Sequence, residues 1–155
     1  MFEFLTQRRI HSEANILLFT VILSFLGIFI AGYLVYDHYD PGSLACPADE
    51  WIDCGEVTQG EYNNIFGIPL AHLGLIGMVL IFLFAALRLK HWNRDYTENF
   101  FVIVLILSFL GTLLTSYLTY LELFVIHKIC IYCFTEFILV TIIFGACLYG
   151  FVKGE

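Results

Sequence analysis

The sequence predicts an all-α integral membrane protein, a four-transmembrane-helix bundle with a long extracytoplasmic loop between helices 1 and 2. Three observations predict it. Of the 155 residues, 60% are hydrophobic and 14% charged, whereas a soluble domain is about half apolar and about a quarter charged. Mean hydropathy is +0.86. Four stretches with little or no charge each reach the roughly 20 residues that cross a bilayer. With 7 basic against 14 acidic side chains, the chain has too little charge to solvate a soluble enzyme. It also has no basic surface for nucleic acid. Its main partner is membrane lipid.

The elements follow in order, in one domain over 1–155. The first span, 14–36, is uncharged from Ala14 to Tyr36. It exceeds the roughly 7–15-residue apolar core of a signal peptide and no A-x-A site follows, so it reads as a retained anchor. Loop 37–66 is polar, with Gly, Pro, Asp, Cys46 and Cys54. The second span, 67–88, has His72 as a polar exception, and Pro69 is expected in its first turn, where a missing N–H costs little. Arg88 to Glu98 is a short basic connection. The third span, 99–121, leads to a tight turn from Glu122 to Lys128. The fourth, 129–152, is apolar except for Glu136. Lipid leaves a single spanning segment no backbone solution but a helix. The alternation of β-barrel strands is missing. Small residues (Ser24, Gly27, Ala31; Ala71, Gly74, Gly77; Ser108, Gly111, Thr115) mark faces where helices pack closely.

Basic residues set the orientation. Arg8, Arg9, Arg88, Lys90, Arg94 and Lys153 fall on one side and Lys128 on the other. The protein is therefore expected to be multi-pass in the cell membrane, with both termini cytoplasmic and the cysteine loop outside. The loop acids Asp37, Asp40, Asp49, Glu50, Asp53, Glu56 and Glu61 read as solvating an exposed segment.

Of five cysteines, four collect at that outer face: Cys46 and Cys54 in the loop, and Cys130 and Cys133 in the Cys-Ile-Tyr-Cys that opens the fourth helix. That face is the oxidising one. A C-x-x-C at a helix start places two sulfurs about one turn apart. The positive end of the helix dipole favours thiolate there, and His127 and Lys128 could add to it. A thiolate attacks a disulfide or an electrophilic quinone. A second pair on a loop could pass electrons inward, which makes a two-stage dithiol relay. Other readings stay open on residues alone. The pairs could be inert disulfides stapling a non-catalytic four-helix membrane scaffold, or a Cys₄ zinc site, or one completed by His72 or His127. Cys147, inside the last span, reads as a small buried hydrophobe.

The four spans, the loop pair and the C-x-x-C opening the fourth helix together resemble the vitamin K epoxide reductase family, of the bacterial and archaeal kind. Asp53-Cys54-Gly55-Glu56-Val57, Tyr62-Asn63-Asn64-Ile65-Phe66-Gly67-Ile68-Pro69-Leu70 and Cys130-Ile131-Tyr132-Cys133 carry the resemblance over nearly the whole chain. Another bacterial family of membrane disulfide oxidases has the two pairs in the reverse order. The resemblance implies a quinone-dependent thiol-disulfide oxidoreductase that supports disulfide formation, with catalytic Cys46, Cys54, Cys130 and Cys133 and no metal. Cys133 would be the thiolate that faces a quinone of the ubiquinone, menaquinone or vitamin K type and passes it electrons, with Cys130 as its resolving partner. Cys46 and Cys54 would take electrons from a thioredoxin-like protein on a separate chain, and Cys54 would exchange with Cys130. Asn63 aligns with an asparagine that hydrogen-bonds the quinone head group in animal members. Phe66, Ile68, Phe134 and Phe137, near the outer ends of the helices, are candidate walls of an apolar quinone pocket or else ordinary core residues.

Two positions depart from the family pattern. Gly60 stands where many members carry Ser or Thr, with Thr58 and Gln59 as nearby substitutes. Phe137 stands where animal members carry a tyrosine. Both departures remove polar groups that epoxide reduction would use for proton delivery, and leave quinone reduction by a thiolate intact. Glu136, a carboxyl within a span, is a functional candidate by default. It follows Cys133 on the same helix face and is a candidate proton relay.

Overall fold

The computed structural model describes residues 2–47, 49–91 and 98–154. Four long helices dominate: α1 (Phe2–Tyr39), α3 (Leu70–Lys90), α4 (Glu98–Leu121) and α5 (Ile131–Gly154); the short α2 (Cys54–Gln59) lies between the first two. The parts long and apolar enough to cross a membrane are Ser12–Tyr39, Leu70–Lys90, Asn99–Ile126 and Ile131–Lys153. The shortest, at 21 residues, measures about 30 Å, the thickness of a hydrocarbon core.

The long helices form a ring in which α1 packs on α3 and α5, and α4 packs on the same two. At one end Tyr39 closes α1 beside His72 in the first turn of α3, with Oη 3.1 Å from Nε2. At the other, Arg88 from the last turn of α3 pairs with Glu13 of α1 at 3.5 Å. The two helices are therefore antiparallel. Leu17, Ile81, Val104 and Ile143 fill the centre together with Cys147, whose sulfur lies 3.8 Å from Thr20 Oγ1. A Cβ on Gly27 would stand 3.0 Å from Met78 Cε, and one on Gly150 would stand 2.8 Å from Ile16 Cδ1. These two glycines let α1 meet α3 and α5 at short range. Ser24, Ser108, Thr112 and Thr141 return their hydroxyls to carbonyls three or four residues earlier, so none needs a partner in lipid. Phe19, Phe25, Phe29, Leu110 and Leu113 point outward, where lipid tails receive them.

Two boundaries differ from the sequence expectation. The second span was expected from residue 67 with Pro69 inside the helix, yet α3 begins at Leu70 and Pro69 is extended at φ −61°, ψ 135°. The preceding residues form a 3₁₀ turn (Glu61–Asn63) and a hairpin, β1 (Asn64–Ile65) against β2 (Ile68–Pro69), with Asn64 opposite Pro69 and Ile65 opposite Ile68. Phe66 and Gly67 at its tip take positive φ of 53° and 81°, as two-residue hairpin turns demand. The expected tight turn after 121 is instead a π-helical turn, Glu122–Ile126, which prolongs α4. It closes at His127, in the left-handed region at φ 56°, with the Lys128 N–H donated to the Glu122 carbonyl at 3.1 Å. Arg94, one of the cations in the orientation count, lies outside the described residues.

Candidate active site

The site is built at the end of the bundle where α1 stops and α5 starts. Asp37, in the last turn of α1, is 1% exposed and organises the loop. Its Oδ1 accepts the Gly42 and Leu44 amides at 3.1 and 3.2 Å and the Ser43 hydroxyl at 3.4 Å. Its Oδ2 accepts the Thr58 hydroxyl at 3.0 Å, and Gln59 Nε2 donates to its carbonyl at 3.1 Å. One carboxylate thus fastens both the stretch leading to Cys46 and the helix carrying Cys54. Expected to solvate an exposed loop, Asp37 is instead the loop's buried anchor. Asp53 caps α2 by accepting the Glu56 amide at 3.1 Å, which sets Cys54 at the first helical position.

Cys46 and Cys54 form a disulfide, with Cα atoms 6.1 Å apart. Cys54 packs with Leu34 and Cys130 in one buried cluster, and Cys46, Cys133 and Tyr132 lie against it. All four sulfurs therefore gather at one end of the bundle. The loop is bound to α5, to Ile129 just before it, and to α1. The Ile129 amide donates to the Trp51 carbonyl at 2.9 Å, the Tyr132 hydroxyl to the Ala45 carbonyl at 3.1 Å and the Tyr33 hydroxyl to the Ser43 carbonyl at 2.9 Å. The rings of Tyr33 and Tyr132 meet edge to face with centroids 5.4 Å apart.

Cys130 is the cap residue of α5. Its carbonyl accepts the first helical bond, from Phe134 at 2.9 Å, and its sulfur accepts the Cys133 amide at 3.4 Å. This is the arrangement a Ser or Asp cap makes with oxygen. The Cys133 thiol, with the Cys133 and Tyr132 amides, holds the Cys130 thiol below its ordinary pKa, against the opposing pull of burial and of the nearby Glu122. The helix-start argument for a thiolate therefore applies to Cys130. Lys128, expected to assist, donates to the Asp49 carbonyl at 3.4 Å instead. The Cys130 amide donates to Glu122 Oε2 at 3.1 Å, so a residue expected in a tight turn is a buried acceptor for the Cys-Ile-Tyr-Cys motif.

Beside this cluster lies a largely apolar cavity of about 90 Å³. Leu34, Leu70, Leu114 and Leu118 form much of its wall, and Asn63, Glu122, Cys133 and Glu136 add polar atoms. Cys133 opens on this space, while Cys130 is fully buried beside Cys54. Asn63 lines the cavity, with its amide nitrogen donated to the Thr58 carbonyl. Thr58 also lines it. Gly60 sits where a Cβ would fall 2.7 Å from the Glu56 carbonyl oxygen, so a Ser or Thr there would require the backbone to shift.

The aromatic walls expected of the pocket are elsewhere. Phe66 is fully exposed, at 101%, because the hairpin tip turns it away from the bundle. Ile68 and Phe134 are exposed too, Phe134 because it sits about 100° round α5 from Cys133. Phe137 is partly buried against Phe134, with ring centroids 6.1 Å apart, and takes no part in the lining. Aliphatic residues of α1, α3 and α4 supply the wall instead. Among the described residues, no three His, Cys, Asp or Glu side chains are grouped to hold a metal ion.

The family model of the vitamin K epoxide reductase family matches residues 18–148, most of the chain. That range includes all five cysteines, Asp37, Glu122 and Glu136. A comparison with curated proteins found no match.

Proposed function

The chain belongs to the vitamin K epoxide reductase family, and from that premise we propose that it is a membrane thiol:quinone oxidoreductase supporting disulfide formation outside the cytoplasm. The observation that carries this reading is the common cluster of Cys46, Cys54, Cys130 and Cys133, with Cys133 alone among them opening on an apolar cavity.

The chemistry is a chain of thiolate displacements. A reduced thioredoxin-like protein attacks the Cys46–Cys54 disulfide and leaves as a disulfide. Cys54, now a thiol, displaces at Cys130, and the loop pair closes again as Cys130 and Cys133 become free. The Cys130–Cys133 dithiol then gives two electrons and two protons to a quinone, yielding hydroquinone and a new disulfide. Leucine walls with a few polar atoms suit a flat apolar ring bearing two oxygens. The excess of Lys and Arg at the opposite end favours cytoplasmic termini and an outward cysteine end.

The test is reduction of ubiquinone or menaquinone by purified protein supplied with a reduced thioredoxin-like protein. The wild type consumes quinone and Cys133→Ala consumes none. Retained reduction by Cys133→Ala contradicts the assignment. A stapled scaffold would leave quinone untouched, and its loop disulfide would resist mild dithiols.

A further inference from the structure

Resting on the quinone-reductase reading, we propose that Glu136 is a catalytic acid that carries a proton between the Cys133 thiol and a quinone oxygen in the cavity. Glu136 is 6% exposed, and neither carboxyl oxygen has a hydrogen-bond partner among the described residues. A carboxyl so placed in a spanning helix is costly and persists where something uses it. It follows Cys133 by one turn on the same face of α5, and both line the cavity, so the sulfur and the acid address the same space. Several of the polar side chains around them are already engaged. Glu122 accepts the Cys130 amide, Asn63 donates to Thr58, Thr58 donates to Asp37 and Thr115 donates to the Gly111 carbonyl at 2.8 Å. The unpartnered carboxyl of Glu136 is free to face an incoming oxygen.

The step balances. The Cys130–Cys133 dithiol loses two electrons and two protons as the S–S bond forms, and the quinone gains both to become hydroquinone. Protonated Glu136 gives its proton to one quinone oxygen and takes another from the Cys133 thiol, so it ends as it began. The proton that Cys130 gives up goes to the second quinone oxygen.

The experiment compares wild type, Glu136→Gln and Glu136→Asp in proteoliposomes containing ubiquinone or menaquinone. Thiol trapping follows transfer from the loop pair to the inner pair, and absorbance follows quinone reduction. Glu136→Gln is expected to leave the thiol transfer unchanged, which also shows an intact fold. It should slow quinone reduction about 100-fold, within the range of a lost acid catalyst. Glu136→Asp should recover part of the rate. Infrared difference spectra should show a protonated carboxyl band that shifts when quinone is added and is missing from Glu136→Gln. Quinone reduction by Glu136→Gln at the wild-type rate, or a carboxyl band indifferent to quinone, overturns the role of Glu136 alone. A wild type that reduces no quinone overturns the reductase reading and this role with it.

Discussion

The hydroxyl of Tyr132, inside the Cys-Ile-Tyr-Cys motif, donates to the carbonyl of Ala45, the residue before Cys46, at 3.1 Å. One hydrogen bond thus links the backbone of the loop pair to the motif of the inner pair. A single such bond contributes about 1 kcal/mol, enough to bias a loop between docked and undocked positions severalfold. Tyr132→Phe keeps the ring contact with Tyr33 and deletes only the bond. Transfer from the loop pair to the inner pair, followed by thiol trapping, is expected to slow severalfold, with quinone reduction by a pre-reduced inner pair unchanged.

Asp37→Ala should be the most damaging loop substitution outside the cysteines. It strands two amides and two hydroxyls that a single carboxylate now satisfies. Hydrogen bonds to a charged group contribute about 1.5–3 kcal/mol each, so destabilisation of about 3 kcal/mol or more is expected. Thermal unfolding in detergent measures it. Proteolysis should concentrate between α1 and α2, and the bundle below should persist.

The pH dependence of Cys130 has a definite sign. The Cys133 thiol is the largest influence holding Cys130 below its ordinary value. In the wild type with a reduced inner pair, thiolate absorbance should therefore develop below the usual cysteine midpoint of about 8.5. Cys133→Ala removes that support while burial continues to oppose the charge. The midpoint should move up, and the thiolate fraction at neutral pH should fall. Titration against Cys130→Ser isolates the signal.

Gly74 lines the cavity, and a Cβ added there meets nothing within 4 Å. Gly74→Val should fold and fill the space Cys133 faces. Quinone reduction is expected to fall at least tenfold through a raised KM, with the disulfide exchange steps intact. A variant with unchanged quinone kinetics would move the binding site elsewhere.

Much of this architecture is legible in the sequence because lipid imposes a simple rule. Uncharged runs of about 20 residues become helices, and the presence of four spanning helices was readable on that ground. The position of the C-x-x-C relative to the loop cysteines followed from counting crossings. Hidden were residues whose role depends on tertiary hydrogen bonds. Asp37 looks like one of several loop acids, yet a carboxylate in the last turn of a helix opposes the helix dipole, and that conflict was the available signal. Glu122 passed as a turn residue because a charge after an apolar run looks like an exit from the membrane, whereas the π-helical turn keeps it inside. Phe66 misled because its aromatic side chain suggested a wall, while its place before Gly67 favoured a hairpin tip.

The central claim, that Cys54 hands electrons to Cys130, is tested most directly in Cys46→Ala/Cys133→Ala, which leaves each pair one sulfur. Mild oxidation followed by peptide mapping should yield a Cys54–Cys130 disulfide as the dominant product, since these residues share one buried cluster. Both thiols remaining free, or each pairing only with added small thiols, would contradict the relay.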